Sequence, residues 1–142
     1  MKVSEIMSKN VIGIHPEESA EVAARTLTHY NIGALPVQNS DGKLCGLVTD
    51  RDLVIRCMAS GKLPNQTKVK NIMTGQVLCV RPDTDASAAA QLMGNRQIRR
   101  LPVVDQGKLC GMISLGDIAR SRENQNLAAE ALSGIASNVQ KG

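Results

Sequence analysis

Two copies of one unit occupy most of the chain. The stretch VSEIMSKNVIGIHP at 3–16 aligns with VKNIMTGQVLCVRP at 69–82, and the alignment continues without a gap through IGALPV at 32–37 and IRRLPV at 98–103. One residue is then lost where NSDGKLCG meets DQGKLCG, in a glycine-containing turn that can tolerate a deletion. Half of the chain is too small to bury both faces of a sheet. The duplication therefore predicts that the two copies pack against each other as one domain.

Each copy has the pattern of a β-α-β-β-α unit. Short apolar segments at 11–14 and 77–80 end at a proline and predict a first strand. Apolar residues at i, i+3, i+4 and i+7 then predict an amphipathic helix. These residues are Ala20, Ala23, Ala24 and Leu27 in the first copy and Ala86, Ala89, Ala90 and Met93 in the second.

Two further strands and a closing helix complete each copy. ALPV and RLPVV predict the second strand, KLCGLVT and KLCGMIS predict the third, and helices follow Thr49 and Ser114. The expected fold is therefore α+β, with two β-α-β-β-α repeats whose small sheets face each other about a pseudo-twofold axis.

The chain is predicted to contain three segments. Repeat 1 with its linker occupies 1–64, repeat 2 occupies 65–122, and a C-terminal helical tail occupies 123–142. The tail carries apolar residues at helical spacing, namely Leu127, Ala131, Ile135 and Val139. We expect this face to cover either its own core or that of a partner.

The composition limits the partners that the protein can bind. Tyr30 is its one aromatic residue, and the charge of +4 is scattered, with Arg99 and Arg100 as the densest basic pair. Single-stranded nucleic acids are usually bound on aromatic platforms, and the sequence contains no helix-turn-helix, zinc-finger or RNP motif. A small anionic ligand is therefore favoured over nucleic acid. No membrane span or signal peptide is evident, which predicts a cytoplasmic protein without a membrane partner.

Cysteine and histidine residues follow no metal-binding or catalytic pattern. The cysteines are Cys45, Cys57, Cys79 and Cys110. They lack CxxC or histidine-rich spacing, and we expect them to be small buried hydrophobes in a reducing compartment. His15 and His29 have no nucleophile beside them in the sequence. We therefore predict no metal site, no required cofactor and no enzymatic activity.

A hydroxyl residue and an aspartate recur where the third strand of each copy ends. Thr49 and Asp52 in the first copy correspond to Ser114 and Asp117 in the second. The spacing is that of a capping box, in which the hydroxyl accepts from a helix N–H group and the acidic side chain bonds back to the backbone. A helix N-terminus also attracts phosphate, so capping and ligand binding are compatible.

Residues 3–122 resemble a CBS-domain pair, also called a Bateman module. The resemblance rests on the ALPVV-type second strand, on the phrases GLVTDRD and GMISLGD that end the third strand, and on the tandem occurrence of both. It implies a mixed α+β fold with two clefts, which in many members of the family take AMP, ADP, ATP or S-adenosylmethionine. It also implies a homodimer.

The resemblance assigns residues to the two clefts by position, with the aspartates holding ribose hydroxyls and the hydroxyl residues near phosphate. One cleft is expected to combine Ser114, Gly116, Asp117 and Arg100 with the base-contacting Val11, Ile32 and Gly33. The other is expected to combine Thr49, Arg51 and Asp52 with Val77, Ile98 and Arg99. Gly33 and Ala34 stand at the positions of Arg99 and Arg100, and Asp50 lies beside the phosphate path of the second cleft. The cleft containing Asp117 is therefore expected to prefer phosphate.

The expected function is that of a non-catalytic sensor. It would bind an adenine nucleotide or S-adenosylmethionine as a regulatory ligand in the clefts between the repeats, and signal through the conformation of its dimer or of an effector protein that the sequence does not identify. The alternative is a ligand-free scaffold or interaction protein, associated with nucleic acid through its basic surface.

Overall fold

The structure is a computed structural model that describes residues 1–121 and 125–141. The first half contains α1 (Val3–Ile6), α2 (Ala20–Tyr30), β1 (Ala34–Gln38), β2 (Leu44–Thr49) and α3 (Asp50–Asp52). A π-helical segment (Leu53–Met58) continues α3, and two 3-10 turns follow (Pro64–Gln66 and Val69–Asn71). The second half contains α4 (Ala86–Arg96), β3 (Arg100–Asp105), β4 (Lys108–Ser114), α5 (Leu115–Arg120) and α6 (Gln125–Lys141). The expected mixed α+β fold is confirmed.

The chain forms two compact units, each of which takes its leading segment from one repeat and its body from the other. We call Ile12–Val77 the N-terminal unit, and Met1–Val11 together with the chain from Leu78 the C-terminal unit. Each unit contains a two-stranded antiparallel sheet, formed by β1 and β2 or by β3 and β4.

The cores of the two units contain corresponding residues of the two repeats. The buried core of the N-terminal unit consists of Ile14, Ala20, Ala23, Leu27, Leu35, Val37, Val48, Cys57, Val69 and Ile72. That of the C-terminal unit consists of Val3, Val80, Ala89, Ala90, Met93, Leu101, Val103, Ile113, Ile118, Ala128 and Ala131. Aliphatic side chains and alanines therefore fill both cores, as a chain with a single aromatic residue requires.

The first strand predicted in each repeat is reduced to one bridged residue. Ile14 pairs in parallel with Val37, donating to the Pro36 carbonyl at 3.0 Å and accepting from Gln38 N–H at 3.0 Å. The next ladder bonds on either side would need N–H groups from Pro36 and Pro16, and proline has none. Val80 pairs with Val103 in the same way, and the corresponding donors would be Pro102 and Pro82. The prolines thus prevent the segments around Ile14 and Val80 from forming a longer strand beside β1 and β3.

Glycines let the leading segments lie directly on the last strand of each sheet. Ser8 and Met112 exchange two backbone hydrogen bonds of 2.8 and 3.0 Å in the C-terminal unit, and Leu47 and Thr74 exchange two of 2.9 Å in the N-terminal unit. A Cβ atom on Gly111 would lie 2.6 Å from the Met7 sulfur, so only glycine allows this approach. Met7 and its counterpart Met73 pack against the cores of their units.

Helix α6 covers the core of its own unit by packing on α4 and α5. Ala128, Ala131 and Ile135 are buried, whereas the side chain of Val139 lies outside the described residues. A Cβ atom on Gly134 would lie 2.7 Å from the Gly94 carbonyl oxygen, so these two glycines bring α6 and α4 into close contact.

The stripe of apolar residues predicted for the first copy is partly exposed. Ala90 is buried in the cluster that α6 helps to form, but its counterpart Ala24 is exposed. Ala24 is therefore not buried with the rest of its apolar stripe. The two copies differ here because α6 packs on α4 in the C-terminal unit.

Glu17 ties two segments of the N-terminal unit together. Its two carboxylate oxygens accept hydrogen bonds from the Lys68 ammonium at 2.7 Å and from the Lys70 ammonium at 2.8 Å. These bonds, that of Lys68 above all, lower the pKa of Glu17 from its ordinary value of 4.5 to about 2. The adjacent backbone is paired as well, since Val69 N–H donates to the Glu18 carbonyl at 2.8 Å.

Across the described part of the chain, every helix falls short of the length and apolar character needed to cross a bilayer.

Replacing Gly46 by alanine tests the contact between leading segment and sheet. The added methyl group would lie 2.5 Å from the Thr74 carbonyl oxygen and 2.8 Å from the Met73 sulfur, so the backbone must move. We expect Gly46→Ala to lower the free energy of unfolding by about 1–3 kcal/mol in urea titrations. Gly75→Ala is the control, because a methyl group there meets open space. Equal stability of the two variants would contradict this packing.

The pH dependence of stability tests the ion pairs of Glu17. Because its pKa is lower in the folded protein than its ordinary value, its contribution is complete above pH 4.5 and is lost as the pH falls towards about 2. Glu17→Gln should therefore flatten the acid limb of the unfolding curve in this range, whereas Glu18→Gln should leave it unchanged. The difference should shrink in high salt, since these groups are exposed. Identical acid limbs for the wild type and Glu17→Gln would contradict the assignment.

Candidate functional site

Both hydroxyl and aspartate pairs form capping boxes, as the spacing predicted. Thr49 Oγ1 accepts from Asp52 N–H at 3.0 Å, and Asp52 Oδ2 accepts from Thr49 N–H at 3.0 Å. Ser114 Oγ accepts from Asp117 N–H at 3.1 Å, and Asp117 Oδ2 accepts from Ser114 N–H at 2.8 Å. The boxes fix the point at which the last strand of each sheet turns into a helix.

The second carboxylate oxygen of each aspartate faces an arginine that the sequence reading missed. Asp117 Oδ1 accepts from the Arg120 guanidinium, whose side chain is mostly exposed. Asp52 Oδ1 lies 3.8 Å from Arg56 Nε, and the guanidinium of Arg56 also donates to the Met73 carbonyl at 3.0 Å. The spacings i+3 and i+4 on a helix could have indicated both pairs. Arg56 is thus held at two points, whereas the side chain of Arg120 is more exposed and less constrained.

A groove of about 570 Å³ lies in the C-terminal unit, at the end of its sheet. There Arg100 pairs with Ser114 across the strands, and Leu115 N–H donates to the Arg99 carbonyl at 2.7 Å. The groove is lined by Arg99, Arg100, Ser114, Leu115, Gly116, Ala119, Ala128, Ala129 and Leu132. Its walls are thus the strand ends, α5 and α6.

Two arginines and a serine line the groove beside leucine, alanine and glycine residues. Arginine offers a planar fork of donors that matches phosphate or carboxylate oxygens, and a hydroxyl can donate to the same anion. Small-molecule sites are usually mainly apolar with a few polar groups that fix the orientation of the ligand. The groove is therefore chemically suited to an organic anion.

The structure brings together three of the residues predicted for the Asp117 cleft. Arg100, Ser114 and Gly116 all line the groove, and Arg99, which was predicted for the other cleft, lines it with them. Asp117 does not line the groove, because its carboxylate is turned onto the Ser114 amide and Arg120.

The remaining predicted residues of the C-terminal unit are Val11 and Ile98. Val11 is half-buried, and Ile98 packs against the core of its unit.

The N-terminal unit is acidic at the place where the C-terminal unit is basic. Gly33 occupies the position of Arg99, and its carbonyl accepts from Asp50 N–H at 3.0 Å. The Asp50 carboxylate lies against Gly33, since a Cβ atom on that glycine would be 3.5 Å from Asp50 Oδ2. A carboxylate repels phosphate, so the charges of this unit favour an anion less.

The other residues predicted in the N-terminal unit occupy varied environments. Arg51 is exposed, Val77 is half-buried, and Ile32 packs against the core of the unit. Thr49 and Asp52 are both engaged in the capping box, and Asp52 is only 9% exposed.

His15 lies beside a hydroxyl residue that the sequence did not place near it. Its Nε2 is 3.3 Å from Ser40 Oγ, and its Nδ1 accepts from Glu17 N–H at 3.2 Å. The neutral tautomer that fits both contacts has its hydrogen on Nε2, which then donates to Ser40. A catalytic base needs the opposite arrangement, in which Nε2 takes the proton of the nucleophile. The pair therefore lacks the geometry of an activated serine.

The cysteines differ in their exposure. Cys57 is buried and Cys45 and Cys110 are half-buried, but Cys79 is exposed, so its predicted burial is wrong. Burial, together with the nearby Asp105, raises the pKa of the Cys110 thiol, which donates to the Val103 carbonyl at 3.3 Å. Among the described residues, no group of three or more histidine, cysteine, aspartate and glutamate side chains is placed to hold a metal ion.

Comparison with known proteins identifies the repeats. The family description "CBS domain" matches residues 3–58 and again residues 69–124. The CBS domain-containing protein YhcV of Bacillus subtilis is 37% identical over 133 residues, which cover 94% of each chain.

Two solved structures are similar as well. Hypoxic Response Protein I, crystallised with two coordinated zinc ions, has a TM-score of 0.78 and 31% identity over 84% of this chain and 98% of its own. The CBS domain pair of protein MJ0100, in complex with 5′-methylthioadenosine and S-adenosyl-L-methionine, has a TM-score of 0.73 and 31% identity over 84% of this chain and 94% of its own. The two matched stretches correspond to the two repeats, and the chain accordingly belongs to the CBS-domain family as a tandem pair.

Proposed function

We propose that this protein is a non-catalytic regulatory module that binds an adenine nucleotide or S-adenosylmethionine. The observation that carries the proposal is the groove in which Arg99, Arg100 and Ser114 face apolar walls. The similar CBS pair of MJ0100 supports the ligand class, because it was crystallised with two adenosine derivatives. The unactivated His15 and Ser40 pair supports the absence of catalysis, and no catalytic cofactor is needed for a switch.

Arg100 and Ser114 are the proposed phosphate or carboxylate contacts, with Gly116 beside them. Asp117 is the proposed ribose contact. An ionised carboxylate has about four lone-pair sites, so Asp117 can accept from hydroxyl groups while it keeps its bonds to Ser114 and Arg120. For the base, the family resemblance proposes Val11, Ile32 and Gly33. For a second site it proposes Thr49, Arg51, Asp52, Val77, Ile98 and Arg99.

The ligand acts as a switch if it binds one conformation of the protein more tightly than another. The output is then a change in the dimer or in the contact with an effector protein. A cytoplasmic location is part of the proposal, and the four free thiols support it, because disulfides are rare in that compartment.

Isothermal titration calorimetry with AMP, ADP, ATP and S-adenosylmethionine tests the ligand proposal. We expect at least one of them to bind in the sub-millimolar range. Arg100→Ala should weaken binding about 10-fold or more, since a hydrogen bond to a charged group contributes about 1.5–3 kcal/mol. Arg96→Ala is the matched control, because Arg96 is an exposed arginine of the same unit outside the groove.

The ligand proposal fails if none of the four compounds binds, or if Arg100→Ala binds like the wild type. Salt-dependent retention on nucleic acid, in the absence of any binding of the four compounds, would favour the interaction protein instead.

We also propose that the protein is a homodimer. The π-helical segment of the N-terminal unit exposes Val54, Ile55 and Met58 by 55%, 45% and 65%, and Leu63 follows at 58%. Clusters of exposed apolar residues of this kind mark interaction surfaces.

Sedimentation equilibrium tests the dimer. The wild type should sediment as a dimer at micromolar concentration, and Met58→Asp should shift it to the monomer by burying a charge in the interface. Leu78→Asp, a change at an exposed leucine of the other unit, should leave the dimer intact. A monomeric wild type, or a Met58→Asp variant that remains dimeric, would contradict this surface.

A further inference from the structure

We infer that α6 forms part of the ligand site, and that the apolar part of the ligand lies against Ala128, Ala129 and Leu132. The inference rests on the proposed function, because it names the surface that the ligand contacts beyond its anionic group. It assigns a binding role to the C-terminal helix, which belongs to neither repeat.

The groove separates charge from apolar surface across its width. The strand ends supply Arg99 and Arg100, whereas α6 supplies Ala128, Ala129 and Leu132, whose side chains contain no polar atom. A molecule that satisfies both walls has an anionic group at one end and a flat or aliphatic surface at the other. A nucleotide has this character, because its phosphate is charged and its base has two apolar faces, of which one remains for α6 when the other lies on the residues proposed above for the base.

Leu132 is the larger of the two exposed members of the apolar wall, the other being Ala129. Its side chain is 45% exposed, whereas Ala128 beside it on the helix is 6% exposed. Leu132 therefore has apolar surface available to a ligand in the groove.

Close packing fixes the position of this wall. A Cβ atom on Gly94 would lie 3.0 Å from Ala131 Cα, and one on Gly134 would lie 2.7 Å from the Gly94 carbonyl oxygen. Helix α6 thus packs directly on α4. Binding of the ligand therefore does not have to order α6. A preformed binding surface increases the affinity, because the protein loses less conformational entropy when the ligand binds.

The corresponding place in the N-terminal unit lacks counterparts of Arg99 and Arg100. Gly33 and Ala34 replace the two arginines, Asp50 adds a negative charge, and the chain after Asp52 continues as a π-helical segment. We therefore expect one tight site per chain.

Calorimetry with AMP on the full chain tests the inference. Leu132→Ser should weaken binding about fivefold, from the loss of apolar contact, and Leu132→Met should restore it. Ala136→Ser is the matched control, because Ala136 is exposed on the same helix outside the groove. The wild type should bind one AMP per chain, and AMP should slow hydrogen exchange of the α6 amides around residue 132.

The outcomes separate the two proposals. If AMP binds and Arg100→Ala weakens it, but Leu132→Ser binds as tightly as Ala136→Ser, the role of α6 is wrong and the proposed function stands. Two equal sites per chain would also overturn the inference. If the wild type binds none of the four compounds, the proposed function itself fails.

Discussion

The close backbone contact between each leading segment and the last strand of a sheet is the constraint on which this structure depends. Gly46 and Gly111 permit it, because any side chain at these positions would overlap the segment that crosses them. The segment that crosses each glycine comes from the other repeat, so neither unit is made from one repeat alone. The strands that carry these glycines end at Thr49 and Ser114, where the capping boxes begin the following helices.

Divergence after duplication explains why the two units differ in chemistry while sharing a fold. The capping boxes and the parallel bridges recur almost unchanged. The flanking positions do not, since Arg99 and Arg100 replace Gly33 and Ala34, and α6 is added to one unit only. The C-terminal unit thus has both the positive charges of the two arginines and the apolar wall of α6. A regulatory ligand with one anionic and one apolar part is the simplest use of that asymmetry.

Features that depend on local sequence pattern could be predicted from the sequence. Features that depend on contacts between distant parts of the chain could not. The spacing of Ser114 and Asp117 sufficed to predict the capping box, because all of its hydrogen bonds are local. Ala90 is buried with residues of α6 whereas its counterpart Ala24 is exposed, and periodicity cannot report a difference that a helix at the end of the chain creates. The shortened first strand was readable in principle, since Pro36 and Pro102 lack the needed donors, but only once the pairing register was known. The contribution of α6 to the groove required its packing on α4.

The proposed binding place of the anionic group of an adenine nucleotide is the basic end of the sheet in the C-terminal unit. A crystal structure of the protein grown with AMP tests it most directly. We expect phosphate oxygens within hydrogen-bonding distance of the Arg100 guanidinium and the Ser114 hydroxyl, with the ligand in contact with α6. AMP bound with its phosphate away from both residues, or a groove occupied by the protein's own side chains at saturating AMP, would contradict it.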